Sequence, residues 1–308
     1  MSDSGGRKTL IHLSSGCVAG TVASSLTSPL DVVKTRMQTS SCGVFTSTAP
    51  RPTAVAVPSL SMVLPRPLSL LRNIVRSEGF SALYKGLGPT LVGIAPARAI
   101  YFASYSNLKL LCNSHACPNT WKVHLLSALG AGLIVSTSTS PIWVVKTRLQ
   151  VHQGSGTSRQ TAAGCARELY ADNGLRSFYR GLTASYAGVC ETAFYFVMYE
   201  HLKKRKRLQN GSEDSDLSAS QLIQCTVMAK SVAAVMAYPH EVVRTRLRIE
   251  VGKNRKYRKF FQTLFVVWKE ERAAGLYGGL SAHLCRVVPN TAIMFLVYEH
   301  AVRWLGAE

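Results

Sequence analysis

The chain has 308 residues, 47% of them hydrophobic and only 17% charged, yet Lys and Arg outnumber Asp and Glu by 36 to 16, a formal charge of +20. So apolar and so basic a composition argues against an ordinary soluble protein and asks for an anionic partner or an anionic membrane. The eight cysteines show no CxxC or Cys/His metal spacing, so they read as small apolar fillers, with no metal and no cofactor expected.

The opening "MSDSGGRK" has neither an apolar signal region nor an Arg-rich amphipathic stretch, so no cleaved targeting segment is expected. The first apolar segment ends in "SPLDVVKTRMQ", with Pro29, an acid at Asp31 and a base at Lys34. The element returns as "SPIWVVKTRLQ" and "YPHEVVRTRLR", which carry Pro141, Trp143 and Lys146, then Pro239, Glu241 and Arg244. A second element follows each one: "EGFSALYKG", "NGLRSFYRG" and "ERAAGLYGG"; a third, "YSNLK", "YEHLK" and "YEHAV", closes each series. Three elements in fixed order, three times over, are an internal repeat. Pro141 to Gly181 and Pro239 to Gly279 are both 40 residues, whereas Pro29 to Gly86 is 57, so the first repeat carries a Ser/Thr/Pro-rich insertion. The expected units are 1–112, with a long loop over about 39–66, then 113–208 and 209–308.

Each repeat holds two apolar segments of membrane-spanning length, roughly 20 residues: 11–38 and 87–108, 121–150 and 182–202, 219–248 and 281–302. Gly, Ser, Thr and Pro interrupt them, so each is weak alone and the six are persuasive together. Between them, 68–77 and 161–171 read as short amphipathic helices at the interface. The expected fold is an all-α membrane protein, a single integral membrane domain: six tilted transmembrane helices in three parallel pseudo-threefold repeats, with both termini on one side.

A proline inside a helix removes a backbone hydrogen bond and bends the axis, so Pro29, Pro141 and Pro239 draw three helices together. The acid and base three residues apart share a helical face. They either pair within one helix, for a few tenths of a kcal/mol, or join neighbouring helices. The threefold recurrence favours a ring of Asp31, Lys34, Trp143, Lys146, Glu241 and Arg244 that closes one end of a central cavity. Trp143 stands in an acid slot, which leaves two interhelical pairs and an aromatic ring to pack over a basic neighbour. The third elements suggest a weaker ring at the other end, from Lys109, Glu200, Lys203 and Glu299, with Ser106 and Val302 as gaps. Two closable ends around one cavity describe alternating access.

Of the 36 basic residues, 23 fall on the proline side, ten on the side of the termini, and three, Arg98, Lys230 and Arg286, inside the segments. Such charges are functional candidates. Arg98 and Arg286 lie 12 and 7 residues past the glycines that start their segments, and Glu191 lies 10 past its own; at 1.5 Å per residue all sit roughly 10 to 18 Å along. Arg98 and Glu191 either pair or face a ligand, and Lys230 either lines the cavity or serves a helix contact. Three bases to one acid suit a phosphate-bearing ligand. A basic nucleic-acid-binding protein is the rival of another class, but it would gather its cations on a polar helix or arm.

These motifs resemble the mitochondrial carrier family, whose pattern is Pro-x-[Asp/Glu]-x-x-[Lys/Arg] followed by acid-Gly and aromatic-[Lys/Arg]-Gly elements. The resemblance implies six tilted helices in the inner mitochondrial membrane, proline motifs forming a matrix gate, the third elements a cytoplasmic gate, and termini in the intermembrane space. It also implies a monomer, cardiolipin at the matrix-side helices, no cofactor, no nucleic acid and no enzymatic step. Within the family, "GLGPTLVGIAPARAIYFASYSN", "SPIWVVKTRLQ", "GLTASYAGVCET" and "RVVPNTAIM" are similar to the pyrimidine nucleotide carriers, implying antiport of pyrimidine nucleoside di- and triphosphates. The Trp143 substitution is shared with folate, flavin and NAD carriers, so folate, FAD, NAD or purine nucleotides remain alternatives. By the family pattern, substrate contacts fall on Gly93, Ile94 and Arg98, on Gly188, Val189 and Glu191, and on Arg286 and Asn290, with Lys230 added. Gly188 and Val189 resemble a slot for a flat base, and Arg98 and Arg286 would take phosphates. Departures from the pattern are Trp143, Ser106, Arg272 in place of Gly, and Gly278 in place of Lys or Arg.

Overall fold

The computed structural model describes residues 3–39, 65–115, 120–152, 161–210, 217–250 and 255–305. The long first-repeat loop, expected over about 39–66, falls almost wholly outside them. All regular structure in the described residues is helical: α1 (Asp3–Thr39), α2 (Pro65–Glu78), α3 (Leu87–His115), α4 (Trp121–Val151), α5 (Ala162–Asn173), α6 (Leu182–Gln209), α7 (Ala219–Ile249), α8 (Phe260–Leu276) and α9 (Leu280–Trp304), with 3₁₀ turns at Phe80–Tyr84 and Gly174–Tyr179.

Six long helices alternate with three short ones, and the long ones close into a ring. α3 packs on α4, α6 on α7 and α9 back on α1, each more extensively than the helices within a repeat pack on each other. Three helices, Val123–Val151, Ser220–Ile249 and Leu280–Trp304, are long and apolar enough to cross a membrane on length and composition. That is fewer than the six expected. α1, α3 and α6 are as long, but Ser, Thr, Gly and Tyr dilute their hydropathy.

The motif residues explain how each short helix docks. Behind each proline stand two valines, and one or both bury against the short helix of the same repeat: Val32 and Val33 against Ile74, with Leu70, Leu71 and Val75 beside it; Val144 and Val145 against Cys165 and Leu169; Val243 against Val267 and Leu276. The residue before each proline ties down the turn that follows. Ser28 Oγ donates to the Leu83 carbonyl at 3.2 Å, Ser140 Oγ to Phe178 at 2.9 Å, and Tyr238 OH to Gly278 at 2.9 Å. The helices run unbroken through Pro29, Pro141 and Pro239.

Two backbone positions in each repeat need positive φ. Gly86, Gly181 and Gly279 start α3, α6 and α9 at φ 83°, 75° and 80°. Each lies so close to the neighbouring α4, α7 or α1 that a Cβ would sit 3.0 to 3.2 Å from the carbonyl oxygen of Lys146, Arg244 or Lys34. Ahead of them, Gly79 and Gly174 have φ 85° and 57°, and Arg272 occupies the same place at φ 54°, ψ −148°. An L side chain in that region costs about 1–3 kcal/mol, so the third repeat carries strain that glycine spares the other two.

Candidate functional site

Where α1, α4 and α7 converge at their proline ends, the acids and bases form a closed floor. Lys34 Nζ donates to Glu241 Oε1 at 2.5 Å, joining α1 to α7, and Lys146 Nζ reaches Asp31 Oδ2 at 3.4 Å, joining α4 to α1. The third link, α4 to α7, lacks its acid. Trp143 fills the slot, its Nε1 donating to Thr139 Oγ1 at 2.9 Å and its ring lying 5.2 Å from Lys146 Nζ. Arg244, deprived of a partner on α4, turns to Glu241 of its own helix at 3.5 Å. Local and interhelical pairing are thus both realised, and the missing acid decides where.

Two further groups reinforce the floor. Arg286 of α9, expected with Arg98 and Lys230 in mid-cavity, reaches down to Asp31, with Nη1 2.6 Å from Oδ1. A guanidinium on a long stem can reach a carboxylate below its own helix position, and Asp31 is otherwise paired with Lys146 only at 3.4 Å. The Nε of Arg286 is buried with no hydrogen-bond partner among the described residues. His283, one turn before Arg286 on α9, accepts from Lys34 Nζ through Nδ1 at 2.5 Å. Sequence reasoning overlooked His283; its i, i+3 spacing from Arg286 was the available signal.

Below the floor lies a second layer that the motif spelled out but that went unread. Arg36, Arg148 and Arg246, each two residues after a floor base, donate from Nε to the carbonyls of Gln150 on α4, Arg248 on α7 and Gln38 on α1, at 3.1, 3.0 and 3.3 Å. Thr35 Oγ1 donates to Gln150 and Thr245 Oγ1 to Gln38, at 2.9 and 2.8 Å. Arg36 and Lys85 clamp Glu78, and Arg246 grips Glu271 with both Nη atoms. Burial pushes the Glu78 carboxyl up, but the hydrogen bonds and charges of Arg36 and Lys85 outweigh it and hold the group below its usual range. In the third repeat Gly278 supplies no counterpart to Lys85.

At the floor opens a cavity of about 400 Å³, lined by the floor residues, by Thr35, Gln38, Gln150, Thr245 and Arg248 of the layer beneath, and by Ser24, Thr90, Ile94, Ser136, Thr139 and Ser185 among others. Five of its lining side chains are cationic, Lys34, Lys146, Arg244, Arg248 and Arg286, against two acids, Asp31 and Glu241. Of the expected contact residues, Ile94 and Arg286 line this space. Gly93 is covered by Ile142, whose Cγ2 lies 3.1 Å from where a Cβ would be, and Val189 packs against Gly132 in the same way at 3.2 Å. Asn290 Oδ1 accepts from Thr27 Oγ1 at 3.3 Å. Lys230 Nζ lies 5.8 Å from the Tyr195 ring, within electrostatic reach of both Arg98 and Arg286. No ion pair joins Arg98 to Glu191 among the described residues; the neighbour of Glu191 is His240, with Oε2 and Nε2 3.8 Å apart.

The other end lacks such a floor. No ion pair links Lys109, Glu200, Lys203 or Glu299 across helices among the described residues. Glu299 bonds Arg303 of its own helix at 2.7 Å, and Lys203 Nζ sits 5.8 Å from the ring of Tyr199. The expected second ring is therefore not formed in this conformation.

The whole chain matches the family described as mitochondrial carrier protein in three consecutive segments, residues 6–116, 118–210 and 215–308. The chain belongs to that family. It is 46% identical to solute carrier family 25 member 36 of Mus musculus over 97% of this chain and 99% of that protein. Member 33 of the same species is 43% identical over 97% of this chain and 96% of its own length. The mitochondrial carrier protein rim2 of Schizosaccharomyces pombe is 39% identical over 96% and 90%. Carriers of this family are transporters of the inner mitochondrial membrane. The burial of Lys34, Arg36, Arg148, Arg246 and Arg248 fits a carrier, since a nucleic-acid-binding surface would expose its cations.

Proposed function

We propose that this carrier exchanges pyrimidine nucleoside di- and triphosphates, UTP, CTP, TTP and their deoxy forms, across the inner mitochondrial membrane by alternating access. The six long helices each cross the bilayer, two from each of the repeats 1–112, 113–208 and 209–308, with the proline floor toward the matrix and the termini in the intermembrane space. We further take the monomer as the working unit and anionic lipid, cardiolipin in that membrane, as the neighbour of α2, α5 and α8.

The observation that carries this reading is a cavity with three more cations than acids, crossed by ion pairs that join α1, α4, α7 and α9. The excess charge asks for a polyanion. The resemblance of four stretches to pyrimidine nucleotide carriers, and similarity to members 36 and 33 over nearly the full chain, point to which polyanion.

The floor also suggests how binding opens the gate. Asp31 is held by Arg286 and Lys146, both of which face the cavity. A phosphate drawn to Arg286 Nη1 and Lys146 Nζ competes with Asp31 for the same donors, loosening α1 from α4 and α9. Each charge-assisted bond is worth about 1.5–3 kcal/mol. Moving a two-state equilibrium from 1:99 to 99:1 takes about 5.5 kcal/mol of differential affinity, so two or three such bonds suffice. Each partly buried floor pair contributes at most about 4 kcal/mol before desolvation, which keeps the closed state within reach of substrate.

The test is exchange by the full chain in liposomes, with labelled UTP and CTP run beside ATP, GTP, folate, FAD and NAD. Rapid counter-exchange of UTP or CTP supports the assignment. Exchange of another anion with none of UTP or CTP overturns it.

A further inference from the structure

A nucleotide has two chemically opposite ends, and the side chains above the floor are polarised to match. Arg98, Lys230 and Arg286, from α3, α7 and α9, are cationic, whereas α6 contributes Glu191. Phosphates repelled by Glu191 go to the arginines, which leaves the base to face α6. On that helix Ser185, which lines the cavity, Gly188 and Glu191 follow one another a turn apart on one face.

Gly188 has no side chain, yet the space over it is filled. A Cβ there would lie 2.7 Å from Nε2 of His240. The repeats show that this imidazole is exceptional. The residue after the proline is Leu30 in the first repeat, Ile142 in the second and His240 in the third. Ile142 covers Gly93, the repeat-equivalent of Gly188, with aliphatic carbon; packing alone would have been served by the same at 240. His240 is 8% exposed, and its Nδ1 donates to the carbonyl of Ala237, which can only accept. When the ring is neutral, Nε2 therefore presents a lone pair beside the Glu191 carboxylate, 3.8 Å away. Two acceptors stand together with a donor wanting between them.

We propose that His240 forms the back wall of the base site and selects single-ring bases. Its imidazole takes the volume over Gly188 that the second ring of a purine would need, and Nε2 with Glu191 accepts the N–H edge of a pyrimidine. The proposal rests on the nucleotide reading above and adds the residue that sets base size.

The experiment compares exchange of UTP and CTP with that of ATP and GTP by the full chain in liposomes. His240→Ala raises the purine-to-pyrimidine rate ratio about tenfold or more. Gly188→Ala alone depresses exchange, because its methyl meets the imidazole, and the double variant Gly188→Ala/His240→Ala recovers it. If His240→Ala fails to insert, His240→Asn decides, since its shorter amide still donates to the Ala237 carbonyl; it too raises the ratio. A wild-type chain that exchanges UTP while neither His240 variant changes the ratio overturns the assignment and leaves nucleotide transport standing. A wild-type chain inert toward all four nucleotides overturns the nucleotide reading itself.

Discussion

The proline end and the terminal end of the bundle use the same vocabulary, an acid and a base three residues apart carried on alternate helices. At the proline end these groups reach across helices: Lys34 to Glu241, Lys146 and Arg286 to Asp31. At the terminal end Glu299 turns to Arg303 on its own helix, and Lys203 rests on Tyr199. Burial separates the two. The floor acids are 12% and 15% exposed, whereas Glu299 and Arg303 are 34% and 59% exposed. A pair in low dielectric is worth several times a solvated one, for which about 0–1 kcal/mol is typical. Spacing thus supplies the candidates for a gate, and the packing around them decides which gate is shut.

The comparison breaks first at Arg286, which belongs to both cavity and floor. Arg286→Ala cuts exchange about 100-fold or more while the protein still inserts; unchanged kinetics in liposomes would remove this residue from the site. Next come the two ends directly. Lys34→Gln leaves the buried Glu241 only its longer ion pair with Arg244 and lowers stability in detergent by about 3 kcal/mol, whereas Lys203→Gln at the terminal end stays within about 0.5 kcal/mol. Equal shifts in thermal unfolding would mean that the ends do not differ energetically. Restoring the missing acid sharpens the contrast further: Trp143→Asp gives Arg244 a partner on α4, stabilises the closed floor by about 1–1.4 kcal/mol and slows exchange five- to tenfold. Faster exchange contradicts the gate.

Arg272→Gly tests the strain of the third repeat. It raises stability by about 1–2 kcal/mol and leaves the exchange rate alone; a fall in unfolding temperature would show that the arginine makes up for its backbone. The smallest effect concerns Glu78, whose carboxyl is held below its usual range. Its contribution is fully present above the unfolded-state pKa of about 4.3 and disappears as pH falls through the lower folded value. Glu78→Gln removes that acid-side loss, seen as a flatter stability curve below pH 5.

Helix placement was largely legible. The segments expected at 121–150, 219–248 and 281–302 correspond to Trp121–Val151, Ala219–Ile249 and Leu280–Trp304, because prolines, glycines and apolar runs are local signals. Pairing of Lys34 with Glu241 and of Lys146 with Asp31 followed from the threefold arrangement. The destination of Arg286 did not, since rise along a helix gives the height of a Cα and not the reach of a guanidinium. Covering of Gly188 by His240, and of Gly93 by Ile142, was equally invisible, because each joins residues about 50 apart. The arginine layer was legible and missed: "TR" stands in all three motifs, at Arg36, Arg148 and Arg246.

By itself, the chain's amino-acid order determined a threefold helical repeat, the acid and base slots, and the one slot that Trp143 vacates. These depend on periodicity and on backbone rules that act within a few residues. Tertiary structure alone decided that ion pairs join the helices at the proline end and, among the described residues, not at the other, that Arg286 closes on Asp31, and that an imidazole lies over Gly188. Those outcomes depend on distances between helices and on exclusion of water from some charges and not others, which no local spacing encodes.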